Sequence, residues 1–250
     1  MRQDVDESEP DVRCYAVSHP GGWLDLPQDP AWSQLVYAVH GVLTVHTPDG
    51  SWVVPPHRAA LVPAGVRHRL ALSGPATLRT LYLARALELL PATCRVLDVP
   101  PLLRELILHA VRLAPLRLAD PVHHRLIGVL ADQIVMLPDA PLQLPAPRDP
   151  RAAALAATLQ DDPGDTSSVA ALAHRVGASR RSLERVFRAD TGMTVGQWRR
   201  RLRMLEALRL LAAGMTATAV GARVGYATPS AFGAAFRAEL GDTPAQWFSR

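Results

Sequence analysis

Ala178–Asp190, ASRRSLERVFRAD, returns 49 residues later as Ala227–Glu239, ATPSAFGAAFRAE. Both stretches open on alanine and a hydroxyl residue. Both carry a large apolar residue at the sixth place and close on Phe-Arg-Ala and an acid. Between these shared points they diverge, because the first holds four arginines and the second only one. Apolar residues recur at helical spacing inside each: Leu183, Val186 and Phe187 in the first, Ala231, Phe232, Ala235 and Phe236 in the second.

The residues before each copy repeat as well. SVAALAHRVG (168–177) and TATAVGARVG (216–225) both end Arg-Val-Gly before a short turn. A small residue, Ala173 or Gly221, stands four places before that glycine, where two helices must approach closely. A turn glycine supplies the positive φ that sends one helix across the next. The pattern is a helix-turn-helix twice over, with the second turn one residue longer.

Around the repeat, residues 149–249 read as about seven helices. Ser179, Thr194, Thr216, Thr228 and Thr243 stand at N-cap positions, and Pro229 and Pro244 take the first helical position. Thr194 and Gln197 form a capping box, and Gly192, Gly214, Gly225 and Gly241 mark the stops. Joining the two units is TVGQWRRRLRMLEALRLLAAG (194–214), a continuous helix of about 20 residues and about 30 Å. Successive major-groove faces on one side of B-DNA lie about 34 Å apart. One polypeptide with this connector can place two recognition helices in consecutive grooves.

Upstream, Pro138–Pro150 (PDAPLQLPAPRDP) contains five prolines and reads as a semi-extended linker or strap. Residues 33–83 are strand-like, with two β-rich runs around a Pro-Asp-Gly turn and further short strands between Gly/Pro turns. This predicts a small β-barrel or sandwich. PLLRELILHAVRLA and DPVHHRLIGVLADQIVML then switch to helical periodicity. The expected organisation is a tail at 1–13, a mostly β domain with two C-terminal helices at 14–137, a linker at 138–150 and an all-α domain at 151–250.

Composition fits this division. The chain has 250 residues with room for two domains, and no apolar run approaches the roughly 18 residues of a membrane span. The acidic start MRQDVDESEP is expected to be a disordered tail rather than a secretory or transit peptide. Cys14 and Cys94 form no framework and read as reduced thiols. All 27 basic residues are arginine. Residues 1–150 hold 13 arginines against 15 acids, net −2, and residues 151–250 hold 14 against 8, net +6. A basic half joined to an acidic one suits a nucleic-acid module carried with a partner domain.

Residues 151–249 resemble the DNA-binding domain of the AraC family of bacterial transcription regulators, above all through GYATPSAFGAAFRAELGDTPAQWF (225–248), with Trp247 where tyrosine is more usual. Residues 32–83 resemble the cupin-like sensor domain of one AraC subgroup through WSQLVYAVHGVLTVHTPDGSWVVPPHRAALVPAGVRHRL (32–70). The resemblance implies that the helix after each turn enters a major groove of double-stranded operator DNA. Motif position makes Arg180, Arg181, Glu184 and Arg185 base-contact candidates on the first helix. Arginine can bond a guanine edge twice and Glu184 can accept from a cytosine amine. The competing role for Glu184 is an ion pair with Arg180, Arg181 or Arg188. The second helix offers Ser230 and Ala234, the latter where many family members carry arginine, and Gly233 before it. Phosphate candidates are Ser179, Arg188, Arg199, Arg200, Arg203, Thr228 and Arg237.

In the β domain, PAGVRH (63–68) resembles the second cupin motif, and His68 is its one ligand-type residue. Related regulators often carry His-x-His where this chain has Gln28 and Pro30. A lone histidine does not hold a metal. His19, His40, His46, His57, His123 and His124 lack ligand spacing and read as surface or core residues. The expected protein is therefore a cytoplasmic one-component regulator without cofactor, whose first domain senses a small-molecule effector or dimerises. Its partners would include a second copy and, for an activator, RNA polymerase, but no membrane. The alternatives are a metal-dependent cupin enzyme fused to a DNA-binding domain, and an adaptor whose first domain only dimerises.

Overall fold

The computed structural model describes residues 9–87 and 90–248. The expected tail at residues 1–8 lies outside the described residues, and the first strand, β1 (Val12–His19), already begins within the span expected to be tail. By contact the chain divides into two units, residues up to 45 with 54–140, and 46–53 with residues from 141 on.

Strands β2 (Gly22–Leu24), β3 (Trp32–His40), β4 (Leu43–Thr47), β5 (Gly50–Val54), β6 (Arg58–Val62), β7 (Arg69–Leu72), β8 (Ala76–Ala84) and β9 (Arg95–Asp98) follow in order. Two helices come next, α1 (Pro101–Leu113) and α2 (Pro121–Met136), and then a short strand β10 (Gln143–Pro145). The strands form two five-stranded sheets, ordered β1-β8-β3-β6-β9 and β10-β5-β4-β7-β2. Among the described residues the sheets do not close into a barrel, so of the barrel or sandwich expected it is the two-sheet arrangement that forms. The outer strands of the first sheet meet irregular backbone instead of further strands. Leu116 exchanges backbone hydrogen bonds with Val12 on the β1 edge, and Ala140 N–H donates to Val96 O on the β9 edge. These contacts satisfy edge groups without closing the sheet.

The first sheet is buried beneath its helices. Leu35, Tyr37, Leu61, Leu81 and Leu97 pack with Leu103, Ile107 and Ala110 of α1 and Ile127, Leu130 and Ile134 of α2. Asp120 caps α2 by accepting from the N–H groups of Val122 and His123. The opposite faces of α1 and α2 leave Leu102, Val122 and Met136 exposed.

In the second unit the proline-rich segment contributes β10, which pairs with β5 from Gln143↔Trp52 to Pro145↔Gly50. The strand is outermost in its sheet, where a residue without an N–H is tolerated. Seven helices follow: α3 (Pro150–Asp161), α4 (Val169–Arg175), α5 (Arg180–Thr191), α6 (Val195–Ala212), α7 (Ala217–Arg223), α8 (Pro229–Leu240) and α9 (Pro244–Phe248). The expected caps are all in place. Ser179, Thr194, Thr216 and Thr228 each accept from an N–H in the first turn, Thr194 within a full capping box. Gln246 N–H donates to Thr243 Oγ1. The connector α6 has 18 residues and is about 27 Å long. Trp198 and Leu205 are buried along it, and the Phe187 and Trp198 rings meet edge to face at 5.8 Å.

The two helix-turn-helix glycines differ physically. Gly177 has φ +64 and open space where a Cβ would stand, whereas Gly225 has φ +82 and a Cβ there would sit 2.6 Å from Gly164 O. Gly177→Ala should cost about 1–2 kcal/mol from left-handed strain alone. Gly225→Ala must also displace backbone and should cost at least twice that. Urea denaturation of both variants measures the difference, and equal losses would mean that the second turn is not tightly packed.

Candidate nucleic-acid interface

Helix α5 buries Leu183 and Phe187, and this fixes what it presents outward. Arg180, Arg181, Arg185 and Arg188 are exposed, with Ser179 exposed at the N-cap. Arg180, Arg185 and Arg188 line an open concavity of about 660 Å³ with Glu184, Ala189 and Thr194. Helix α8 buries Phe232, Phe236 and Leu240. It exposes Thr228, Pro229, Ser230, Ala234 and Arg237, so this face carries one guanidinium against four on α5.

Three sequence candidates are engaged inside the domain. Glu184 is half-buried, and its Oε2 accepts from the N–H of Val195, the first residue of α6, at 3.1 Å. The carboxylate satisfies a donor that no helix can satisfy internally, and its charge suits the positive helix end. It thereby ties α5 to α6, a third role beyond the base contact and the intrahelical ion pair. Arg199 donates to Ser167 O at 2.6 Å. Arg203 donates through Nε to Pro163 O at 2.9 Å and through Nη2 to Asp165 O at 2.8 Å. These donors of Arg203, a phosphate candidate by motif position, meet backbone carbonyls inside the domain. Arg201, next in the cluster, pairs with Glu239 at 2.9 Å. Arg200 is exposed.

The loop that receives these arginines is a charged site in its own right. Arg175 donates to Asp165 Oδ2 at 2.7 Å and to Ser167 Oγ at 2.6 Å. Burial by itself would raise the Asp165 pKa. Hydrogen bonds from Ser167 and Arg175 outweigh it and hold the carboxyl down to about 2. A further carboxylate orders the end of α5: Asp190 Oδ2 accepts from the backbone N–H groups of Arg148 and Asp149 at 2.8 and 2.9 Å. In the same strap, Pro145 O accepts from the Trp198 indole at 2.8 Å. Sequence reasoning missed Asp190, whose partners lie about forty residues away, and the Asp165–Arg175 pair, ten residues apart across the start of α4, which no periodicity marks.

The β unit carries a separate pocket of about 540 Å³, lined among others by Pro27, Gln28, Trp32, Gln34, His68 and Tyr82. Gln28 pairs with the His68 backbone, donating to its O and accepting from its N–H. The His68 ring places Nδ1 2.9 Å from Val66 O and Nε2 2.6 Å from Gln34 Oε1. Gln34 Nε2 in turn donates to Thr80 Oγ1 and the Tyr82 hydroxyl. Burial lowers the His68 pKa, partly opposed by the Val66 carbonyl. Burial, with Tyr15 nearby, pushes the Tyr82 hydroxyl up to about 12. Among the described residues, no cluster of three His, Cys, Asp or Glu side chains is arranged to hold a metal ion. Likewise, no helix among them is long and apolar enough to cross a membrane.

The sequence is similar to those of known proteins. Residues 172–250 match the model of a helix-turn-helix domain. The HTH-type transcriptional regulator NimR of Escherichia coli K12 is 32% identical over 217 residues, 87% of this chain and 80% of that protein. The HTH-type transcriptional regulator RipA of Corynebacterium glutamicum is 39% identical over 101 residues, 40% of this chain and 30% of that protein. The DNA-binding domain of AdpA, a global transcriptional factor crystallised with a target DNA, is 33% identical with a TM-score of 0.38. That match covers 40% of this chain and 90% of AdpA's crystallised chain.

Asp165 makes a pH prediction. Its folded-state pKa lies below the roughly 3.9 of a free aspartate, so its contribution is complete above about pH 4 and is lost as pH falls through about 2. Asp165→Asn should therefore be less stable than wild type at pH 6, and the gap should narrow towards pH 2. Denaturation midpoints across that range check it, and a gap independent of pH would exclude the ionised carboxylate as the cause.

Proposed function

The chain belongs to the AraC family of transcription regulators, and we propose that it reads operator DNA with two unequal helices, α5 specifying sequence and α8 positioning. The supporting observation is the contrast between their exposed faces. Arg180, Arg181 and Arg185 on α5 offer two-pronged donors suited to guanine edges. Ser230 and Ala234 on α8 offer at most one hydrogen bond and a methyl contact. Around them, Ser179, Arg188, Arg200, Thr228 and Arg237 meet phosphates, while Glu184, Arg199 and Arg203 hold the reader's shape. Phosphate contacts orient the domain and make affinity fall with salt without selecting sequence.

Residues 14–137 form the sensor and dimerisation domain, 138–150 the strap, and 151–250 the DNA-binding domain. A small-molecule effector occupies the pocket of Gln34, His68 and Tyr82, whose volume suits a drug-sized molecule. The exposed apolar residues of α1 and α2, including Leu102 and Met136, meet a second copy of the chain. The protein acts without catalysis in the cytoplasm, where bacterial DNA lies, and touches RNA polymerase if it activates.

Selection of bound duplexes from a random pool tests the division of labour. Arg185→Ala should remove about 1–3 kcal/mol of discrimination at one or two base positions. Ser230→Ala should lower affinity with the selected sequence unchanged. Equal loss of preference in both half-sites would overturn it. For the pocket, a thermal-shift screen should find a compound that raises the melting temperature of wild type. Tyr82→Phe should weaken that response.

A further inference from the structure

Two recognition helices on one polypeptide read two grooves only if their separation and rotation are both fixed. The connector α6 sets the separation. Rotation depends on what joins the first helix-turn-helix to the second, both within the second unit, and the structure shows a direct junction between them. The loop 162–165, which leads into α4, lies against the turn 223–226, which leads into α8. A Cβ on Gly164 would stand 2.9 Å from Arg223 O, and one on Gly225 would stand 2.6 Å from Gly164 O. Neither surface has room for a side chain.

Arg203 of α6 closes this junction. Nε donates to Pro163 O at 2.9 Å and Nη2 to Asp165 O at 2.8 Å, both in the entry loop of the first helix-turn-helix. Nη1 reaches Gly225 O at 3.5 Å in the turn of the second helix-turn-helix, and the guanidinium lies 5.6 Å from the centre of the Tyr226 ring. One planar cation thus meets the first helix-turn-helix, the second and the connector together. Arginine suits the task because its five donors lie in a rigid fork, whereas lysine offers a single flexible point charge. Arg175 and Arg199 anchor the same loop from Asp165 to Ser167. They stiffen its far end but do not reach the second turn.

We propose that Arg203 is a positioning residue that sets the rotation between the two recognition helices, and with it the half-site spacing this protein accepts. This deepens the DNA-reading proposal and rests on it. One added or removed base pair rotates a half-site by about 35° about the duplex axis, since a turn takes about 10–10.5 base pairs. A clasped pair of helices rejects such a change. An unclasped pair tolerates it, but loses the advantage of binding the second site as an intramolecular event.

The test uses the full-length protein and the duplex selected from a random pool. Affinity is measured for the complete site, for the α5 half-site alone, and for complete sites with one base pair inserted or deleted between halves. Wild type should prefer one spacing by about tenfold or more. Arg203→Lys should keep half-site affinity within about twofold, while losing about tenfold on the complete site and most of the spacing preference. Melting temperatures are recorded for each variant. Wild type indifferent to spacing overturns the proposal without recourse to any variant. So does Arg203→Lys with wild-type spacing preference, or with half-site and complete-site affinities falling together, the mark of a merely structural residue. Wild type that binds no selected duplex overturns the DNA-reading proposal itself.

Discussion

The loop 162–167 satisfies part of its own backbone, Asp165 N–H donating to Asp162 O, and turns the carbonyls of Pro163, Asp165 and Ser167 to arginines. It lies between two helices, turns on Pro163 and Gly164, and directs carbonyls towards the flank of α6. Two arginines supply the donors, Arg203 to Pro163 and Asp165 and Arg199 to Ser167, while Arg175 holds the Asp165 and Ser167 side chains. Buried or half-buried carbonyls left without such partners would each cost on the order of 1–3 kcal/mol. Once the donors are in place, the loop becomes a fixed surface on which the turn at Gly225 can rest. The second helix-turn-helix is thus held by the first through backbone, with the guanidinium between them as the clasp.

The same chemistry divides the basic residues of this half into two populations. Arg199, Arg201 and Arg203 face inward on carbonyls or Glu239, while Arg180, Arg181, Arg185 and Arg188 stand on the exposed side of α5. The carbonyl-bound arginines keep their charge, but their donors are already engaged, whereas those on α5 stand exposed. Glu184 completes the separation. Set among arginines on α5, it faces the start of α6 and ties the recognition helix to the connector, as Asp190 ties the other end to the strap.

Local signals in the sequence carried much of the fold. The seven helices of the second unit follow from side-chain caps at Ser179, Thr194, Thr216 and Thr228 and from stop glycines, all short-range devices. Gly221 was legible as a close-approach residue, and a Cβ there would stand 3.0 Å from the Phe232 side chain. Illegible were features set by distant partners. Of the barrel or sandwich expected, two unclosed sheets formed, and edge strands β1 and β9 are finished by Leu116 and Ala140, residues whose sequence shows nothing of that role. Arg203 could not be told from Arg200 because one residue type caps carbonyls and binds phosphates equally well. The strap was read as extended, but its pairing with β5 depends on a strand some ninety residues earlier.

Helix α8 has a bare patch, and its cause is not crowding. A Cβ at Gly233 would meet nothing within 4 Å, and Ala234 beside it is exposed. Replacing glycine inside a helix by a longer residue gains up to about 1 kcal/mol of helix propensity. A mutation that installs arginine or asparagine there would therefore add a base-reading group without disturbing the core. For evolution this is an open position: under the proposed division of labour, a lineage could acquire a new operator preference in one substitution while α5 kept its own.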